Sequence, residues 1–313
     1  MAPDTEPAVE PAVEPEPVVI TEPGVYALAA DVYHADPVPE GSLSVSGAKL
    51  LLPPNCPALF EHDREAGNVA TKAMETGTAA HTRVFGTGQS HVVVEAADWK
   101  TKAAQTARKG ARAEGKIPLL AHEAEKIDAM AAALRRHGEA AQLLDPDTGV
   151  AEQCLFWQDE ETGIWRRAML DFLRFPDDNG YVYVIDYKTG VTANPADLGR
   201  TIFNFGYYMQ HAWYLDGVNA FPELSPYFEP IFLFVFQEKT PPYLVSVVQL
   251  HPDDVRWGRL RNRKALDVYQ RCTDLAEWPG YPDEIVSVSM PGWADKQLHA
   301  AYDRGDFDLG APR

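Results

Sequence analysis

The sequence predicts an α/β fold, a mixed β-sheet flanked by helices. Three observations carry that expectation. Segments of helical and strand periodicity follow one another in the order helix, three strands, helix, strand. Glu160-Glu161-Thr-Gly163 and Asp177-Asp178-Asn-Gly180 place turn residues between the first three strand candidates, as antiparallel neighbours require. The 313-residue chain is 45% hydrophobic and 11% aromatic, enough to build the core of one large domain or two small ones.

The elements follow in order. Residues 1–24 hold six acids, no Lys or Arg, and repeated prolines. Their few large apolar groups cannot offset the entropy of ordering, so a disordered acidic tail is expected. Ser44-Val-Ser46-Gly-Ala-Lys-Leu reads as the start of a short helix with Ser46 as its cap, stopped by Pro53-Pro54. Residues 73–86 read as a second helix, in which Gly77, Ala79 and Ala80 permit close packing. Residues 121–143 place Ile127, Met130, Ala131 and Leu134 at helical spacing. Strands are expected at Glu152–Trp157, Trp165–Phe175, Tyr181–Tyr187, Ile231–Gln237 and Tyr243–Leu250. The first three should form an antiparallel meander. One helix from about Asp197 to Ala220 should join the third strand to the fourth, and Asp253–Cys272 should form the last. Residues 276–313 are rich in Pro, Gly and Trp, and an irregular segment is expected. The folded domain is therefore placed at 25–275, with a helical part at 25–150 and sheet with helices at 151–275.

Composition excludes several classes. No run of about 18 apolar residues exists to span a bilayer. The acidic N-terminus lacks the basic region of a secretory signal. Cys56, Cys154 and Cys272 are odd in number and far apart, so they form neither a disulfide framework nor a metal clip, and a reducing cytoplasm is the simplest setting. The net charge of −18 argues against a general nucleic-acid coat. It leaves room for acids gathered around cations, which reverse the local field.

The chemistry concentrates at Tyr181-Val-Tyr-Val-Ile-Asp186-Tyr-Lys188, an apolar strand ending in Asp-x-Lys, and at Asp171 on the preceding strand. Asp186 and Lys188 are two apart, so both side chains leave one face of a strand. The Tyr187 carbonyl can act as a further oxygen ligand. Asp171 lies across the hairpin. Asp-x-Lys also occurs as a solvated surface pair, but Leu170, Val182, Val184 and Ile185 suggest burial, and buried acids need a partner. Two carboxylates suit a hard divalent cation such as Mg²⁺, which lowers the pKa of a bound water. A nearby lysine neutralises charge on a phosphate.

These residues, with several flanking segments, resemble the PDDEXK nuclease superfamily in its RecB-like branch, closest to the RecE (exonuclease VIII) nuclease domain and its phage relatives. The resembling segments run in order through residues 24–275: Val32-Tyr-His-Ala-Asp with Leu43-Ser-Val-Ser-Gly-Ala-Lys, Gly77-Thr-Ala-Ala-His81, Ala151-Glu-Gln-Cys-Leu-Phe-Trp157 with Asp171, the Asp186-Tyr-Lys188 strand, and Phe205 to Gly217 with Gln210-His-Ala-Trp-Tyr214. The acid before the lysine is Asp, where the superfamily more often has Glu. The resemblance implies a restriction-endonuclease-like core and a Mg²⁺-dependent DNA exonuclease, with Mn²⁺ able to substitute. It implies Asp171 and Asp186 as metal ligands, His81 completing the metal shell, and Lys188 as the catalytic lysine. Gln210 and Tyr214 would contact DNA phosphate or support the lysine. Glu152 is placed as an outer or second-metal acid. It further implies double-stranded DNA ends as substrate, a single-strand annealing protein as partner, a homo-oligomer, and a bacterial or phage-infected cell. Endonucleases and inactive DNA-binding proteins built on the same core are the alternatives.

Arg166 and Arg167, beside Asp171, are expected to touch DNA phosphate, together with Tyr207. Two further basic clusters, Lys100 to Lys116 and Arg256 to Lys264 with Trp257, could follow a DNA backbone or present ordinary charged helix faces. Gly110-Ala-Arg-Ala-Glu-Gly115-Lys116 has phosphate-loop spacing, but Ile117 stands where Ser or Thr is needed. No esterase elbow is present, and three cysteines cannot hold an iron–sulfur cluster.

Overall fold

The computed structural model describes residues 18–66, 72–176, 178 and 180–307. The chain divides into two units, Met1–Pro279 and Gly280–Arg313. Among its described residues the first unit holds nine strands: β1 (Gly24–Ala27), β2 (Leu43–Ser44), β3 (His91–Val94), β4 (Ile117–Leu120), β5 (Gly149–Gln158), β6 (Trp165–Arg174), β7 (Tyr183–Gly190), β8 (Ile231–Glu238) and β9 (Val245–Val248). Its α-helices are α1 (Ala30–His34), α2 (Val45–Leu50), α3 (Pro57–Ala66), α4 (Lys72–Phe85), α5 (Lys102–Ala113), α6 (Ala121–Arg136), α7 (Gly138–Leu143), α8 (Pro195–Asn204), α9 (Tyr207–Asn219) and α10 (Pro252–Leu275). Among its described residues the second unit contains one helix, α11 (Gly292–Asp303). No described helix is long and apolar enough to cross a membrane.

The main sheet runs β1-β5-β6-β7-β8-β9, and β2 also pairs with β6. The expected meander is present: β5, β6 and β7 pair antiparallel. β8 then lies parallel to β7, which requires a long crossover. Helices α8 and α9 supply it. Phe232, Phe234, Val235 and Phe236 are all buried, because β8 sits inside the sheet with both faces covered. One face packs on α2, α9 and α10 through Leu170, Val184, Trp213 and the three β8 phenylalanines. The opposite face packs on α4, α6 and α7 through Phe172, Ile185, Tyr187 and Val235.

The pleat inverts once, and that inversion shapes the site. On β6, Ala168 and Leu170 face the α9 side, but so does Leu173, while Phe172 faces the α4 side. On β5 the change falls at Glu152, which adopts a left-handed φ of 53° and stands between the paired residues Ala151↔Phe172 and Gln153↔Leu170. A strict two-residue alternation therefore fails for Asp171.

Several boundaries differ from the expectations. Residues 1–17 of the anticipated tail lie outside the described residues. Residues 18–24 do not belong to a tail: Ile20 is 3% exposed and its N–H donates to the Pro37 carbonyl at 2.9 Å. The 177–180 turn falls partly outside the described residues. Ser44, not Ser46, caps α2, accepting from the Gly47 N–H at 3.2 Å. The helix expected at 121–143 breaks at His137, whose extended backbone caps α7. The helix expected at about 197–220 breaks at Phe205-Gly206, where Gly206 takes φ 61°. A side chain there would meet the Lys49 stem at 3.2 Å, so glycine serves both the turn and the packing. Residues 276–313 contain α11 and are not wholly irregular.

Candidate active site

The site forms where the sheet forks. Strands β6 and β7 pair as far as Phe172↔Ile185 and then separate. Asp171 and Asp186 are the next residue on each strand, at the mouth of the fork. β2 fills the far end of the gap, pairing with Arg166 and Arg167 of β6. The Tyr187 N–H, released from the β6 ladder, donates to Asp171 Oδ2 at 2.8 Å. Hydrophobic sequence around both acids builds the strands, and the fork leaves the Asp171 carboxylate as the group that satisfies the opened Tyr187 N–H.

His81 reaches the same point from α4. Its Nε2 lies 2.9 Å from the Tyr187 carbonyl and 3.6 Å from Asp171 Oδ2. Asp186 projects to the other face and is fully buried. Lys188 Nζ sits 2.6 Å from its Oδ2, and Gln210 Nε2 on α9 donates to its Oδ1 at 2.6 Å. Tyr207, in the first turn of α9, takes Lys188 Nζ over its ring at 5.2 Å and Lys49 Nζ at 5.6 Å.

The electrostatics follow from this crowding. Burial raises the Asp171 carboxyl to about 6, and the Asp186 charge adds to the rise, while His81, Lys188 and the Tyr187 N–H oppose it. Burial pulls Lys188 down, but Asp186 and Asp171 outweigh it and hold the ammonium above its ordinary range. Burial lowers Lys49 to about 7, Lys188 adds to that shift, and Asp186 opposes it. Burial also raises Glu152, with His81 opposing and Asp171 reinforcing. Glu152 therefore feels the site from the neighbouring strand.

The donor set fits a hydrated hard cation. Asp171 Oδ2, His81 Nε2 and the Tyr187 carbonyl converge at 2.9 and 3.6 Å, close to the separation of about 3 Å between adjacent ligands of an octahedral Mg²⁺. Among the described residues no three His, Cys, Asp or Glu side chains gather as a cage.

The fold assigns other expected site residues to support. Arg166 is 6% exposed, bonded to Asp216 at 3.0 Å and stacked 4.0 Å from the Trp213 ring centroid, so it is not available to DNA phosphate. Arg167 is tied to Asp36 at 2.5 Å and to the Ser42 carbonyl and hydroxyl at 2.7 Å, which clamps the segment leading into β2. Gln210 and Tyr214 are also buried. Gln210 holds the acid, Asp186, rather than the lysine, and Tyr214 hydrogen-bonds Gln210. Their burial leaves neither side chain open to a DNA phosphate. In the α10 cluster, Arg259, Arg261 and Arg263 bond to Asp216, the Pro53 carbonyl and Asp159. Arg256, Lys264 and the ring of Trp257 are left at the surface. The Gly110–Lys116 segment follows no strand but ends helix α5, so it is not a phosphate loop.

Two residues at the site escaped the sequence reading. Lys49 reaches it from α2, and Phe205, 61% exposed, stacks on Tyr207 at 5.6 Å and 17°. Both lie in segments that carry the family resemblance, but no role was assigned to either, because each meets the site only through tertiary contact.

Residues 44–289 match a family described as PDDEXK-like domain of unknown function (DUF3799). The chain belongs to this family. The PDDEXK-like domain is also similar to a crystal structure described as "Putative exonuclease" from Eubacterium rectale, at 11% identity and TM-score 0.56, covering 86% of this chain and 98% of that one. That likeness concerns the fold. No curated protein matches the sequence. The mixed sheet flanked by helices is thus the PDDEXK-like core.

Proposed function

We propose that this protein is a divalent-metal-dependent deoxyribonuclease that degrades double-stranded DNA from its ends, with Mg²⁺ as cofactor and Mn²⁺ as a substitute. The observation that carries this reading is that the Asp171, His81 and Tyr187 carbonyl set and the Asp186–Lys188 pair both stand at one sheet fork. Asp171, Asp186, the Tyr187 carbonyl and His81 would hold the cation. Bound there, it would supply positive charge to a phosphodiester and lower the pKa of a water. Lys188 is held by Asp186 with its ammonium fully charged, poised to donate to a phosphate oxygen or to orient the attacking water. Gln210 fixes the carboxylate plane of Asp186, so Asp186 and Lys188 stay aligned without substrate.

The family match and the structural likeness to a protein described as an exonuclease support this reading. The sequence resemblance to RecE-like nucleases supports the preference for ends, an annealing protein as recipient of the single-stranded product, assembly of several copies around DNA, and action in the cytoplasm of a bacterial or phage-infected cell. Three free, buried cysteines agree with a reducing compartment.

The test is a time course on end-labelled linear DNA and on a covalently closed circle, with and without Mg²⁺. Linear DNA should be consumed only with the ion, and the circle should survive. A degraded circle supports the endonuclease alternative. Undiminished Mg²⁺-dependent degradation by Lys188→Ala would sink the mechanism.

A further inference from the structure

Lys49 stands apart from every other cation at the fork. Lys188 is neutralised by Asp186. Both oxygens of Asp186 are engaged, one by Lys188 and the other by Gln210. Among the described residues Lys49 makes no ion pair. Its ammonium lies over the ring of Tyr207, as does that of Lys188, and it feels Lys188 and Asp186 without pairing with either. A second ammonium beside the first, with no carboxylate of its own, is costly unless an anion completes it, and burial with Lys188 accordingly pulls Lys49 down to about 7.

The surrounding structure nevertheless holds it there. β2 pairs with β6 in the gap that β7 vacates, and α2 begins at the next residue. Helix α2 thereby projects Lys49 across the α8–α9 junction. Gly206, with φ 61° and no side chain, leaves room for the Lys49 stem, whose Cε and Cδ lie 3.2 and 3.3 Å from where a Cβ would stand. The Asn55 amide donates to the Lys49 carbonyl at 3.2 Å and fixes the end of the helix. A cation positioned by three elements and lacking an internal counter-ion points to an external one.

We propose that Lys49 binds a phosphate of the DNA substrate beside the one Lys188 addresses. The two lysines, whose ammonium groups lie 5.6 and 5.2 Å from the Tyr207 ring centroid, form a two-cation cradle for consecutive phosphates of one strand. Phe205, stacked on Tyr207 and exposed, offers the flat surface on which a base of that strand rests. This assignment rests on the nuclease reading above.

The experiment compares wild type, Lys49→Met and Lys49→Arg. Duplex binding is followed by fluorescence anisotropy of an end-labelled oligonucleotide in EDTA across a salt series, and KM and kcat are measured with Mg²⁺. Met keeps the stem that packs on Gly206 and Tyr207, and thermal melting checks folding; Lys49→Gln replaces it should Met not fold. Removing one phosphate contact lowers the slope of log affinity against log salt by about 0.9. We expect that change, a rise in Kd and KM of roughly five- to tenfold at low salt, a smaller change in kcat, and recovery in Lys49→Arg. A neutral variant with wild-type affinity and salt slope overturns the proposal, as does equal loss in the folded Met and Arg variants. If wild type itself neither binds duplex nor cleaves linear DNA, it is the nuclease reading that fails.

Discussion

Replacing Lys188 by Met removes the one cation within bonding distance of a fully buried carboxylate. The ammonium lies 2.6 Å from Asp186 Oδ2, an oxygen with no other partner. Breaking a buried pair from one side typically costs about 3–5 kcal/mol, because the remaining charge is left without compensation. The loss has a ceiling. An unpaired carboxyl can take up a proton, and for an ordinary Asp that costs about 4 kcal/mol near pH 7. Each pH unit lower removes about 1.4 kcal/mol of that cost. The defect should therefore be about 4 kcal/mol near pH 7 and about 1.5 kcal/mol near pH 5. In a domain of this size it corresponds to a fall in Tm of roughly 10 °C. Denaturant unfolding of both proteins in EDTA at the two pH values measures it. Divalent ion should then restore more stability to the variant than to wild type, since Asp186 is released to bind it. A defect under about 1 kcal/mol, or one equal at both pH values, would refute the reasoning.

Four further outcomes follow from the same geometry. Binding of Mg²⁺ or Mn²⁺ should weaken as pH falls below about 6, where Asp171 becomes protonated and the ion must displace that proton, by up to about tenfold per unit; calorimetry should show proton release in wild type and none in Asp171→Asn. Gln210→Leu removes a hydrogen bond to a charged acceptor and should cost about 1.5–3 kcal/mol of stability, with kcat falling more than KM rises, as read from steady-state kinetics. Phe205→Ala should weaken binding of DNA ends by about 1–3 kcal/mol in anisotropy titrations while leaving Tm nearly unchanged. Burial, with a smaller push from Arg259, pulls His211 down to about 4. The unfolded chain protonates this histidine near 6.5, so between those values it holds more protons than the folded state and stability falls as pH drops, by about 3 kcal/mol at most; His211→Phe should flatten that limb of the stability profile.

What could be read in the sequence was what short-range pattern encodes. The strands carrying Asp171 and Asp186 announce themselves by apolar alternation and flanking turns, and the Asp-x-Lys spacing puts two side chains on one strand face. The breaks at His137 and Gly206 were missed because helical periodicity continues across both, and only backbone conformation ends the helices there. Arg166 and Arg167 were misplaced for a different reason. Basic residues beside a catalytic acid suggest phosphate contact, but Asp216, Asp159 and Asp36, which neutralise them, are distant in sequence or carry no motif. Lys49 was overlooked because its significance depends on Tyr207 and Gly206, about 160 residues away.

The fork explains why one place on the sheet can hold opposed requirements. A nuclease of this kind must keep two carboxylates close together in a partly dry site, which raises their energy. Continuous pairing of β6 with β7 would spend the backbone groups at 186–188 on the ladder. Separating the strands after Phe172↔Ile185 frees the Tyr187 N–H for Asp171 and the Tyr187 carbonyl for His81. Asp186 is compensated instead by side chains, Lys188 and Gln210, from its own strand and from α9. The two acids are thus stabilised by independent means, one through backbone and one through side chains, so a change at one need not collapse the other. Filling the fork with β2 prevents the gap from becoming an exposed edge and carries Lys49 to its place. The left-handed backbone of Glu152 falls where the pleat inverts, and the inversion turns Asp171 toward Tyr187 where strict alternation would not.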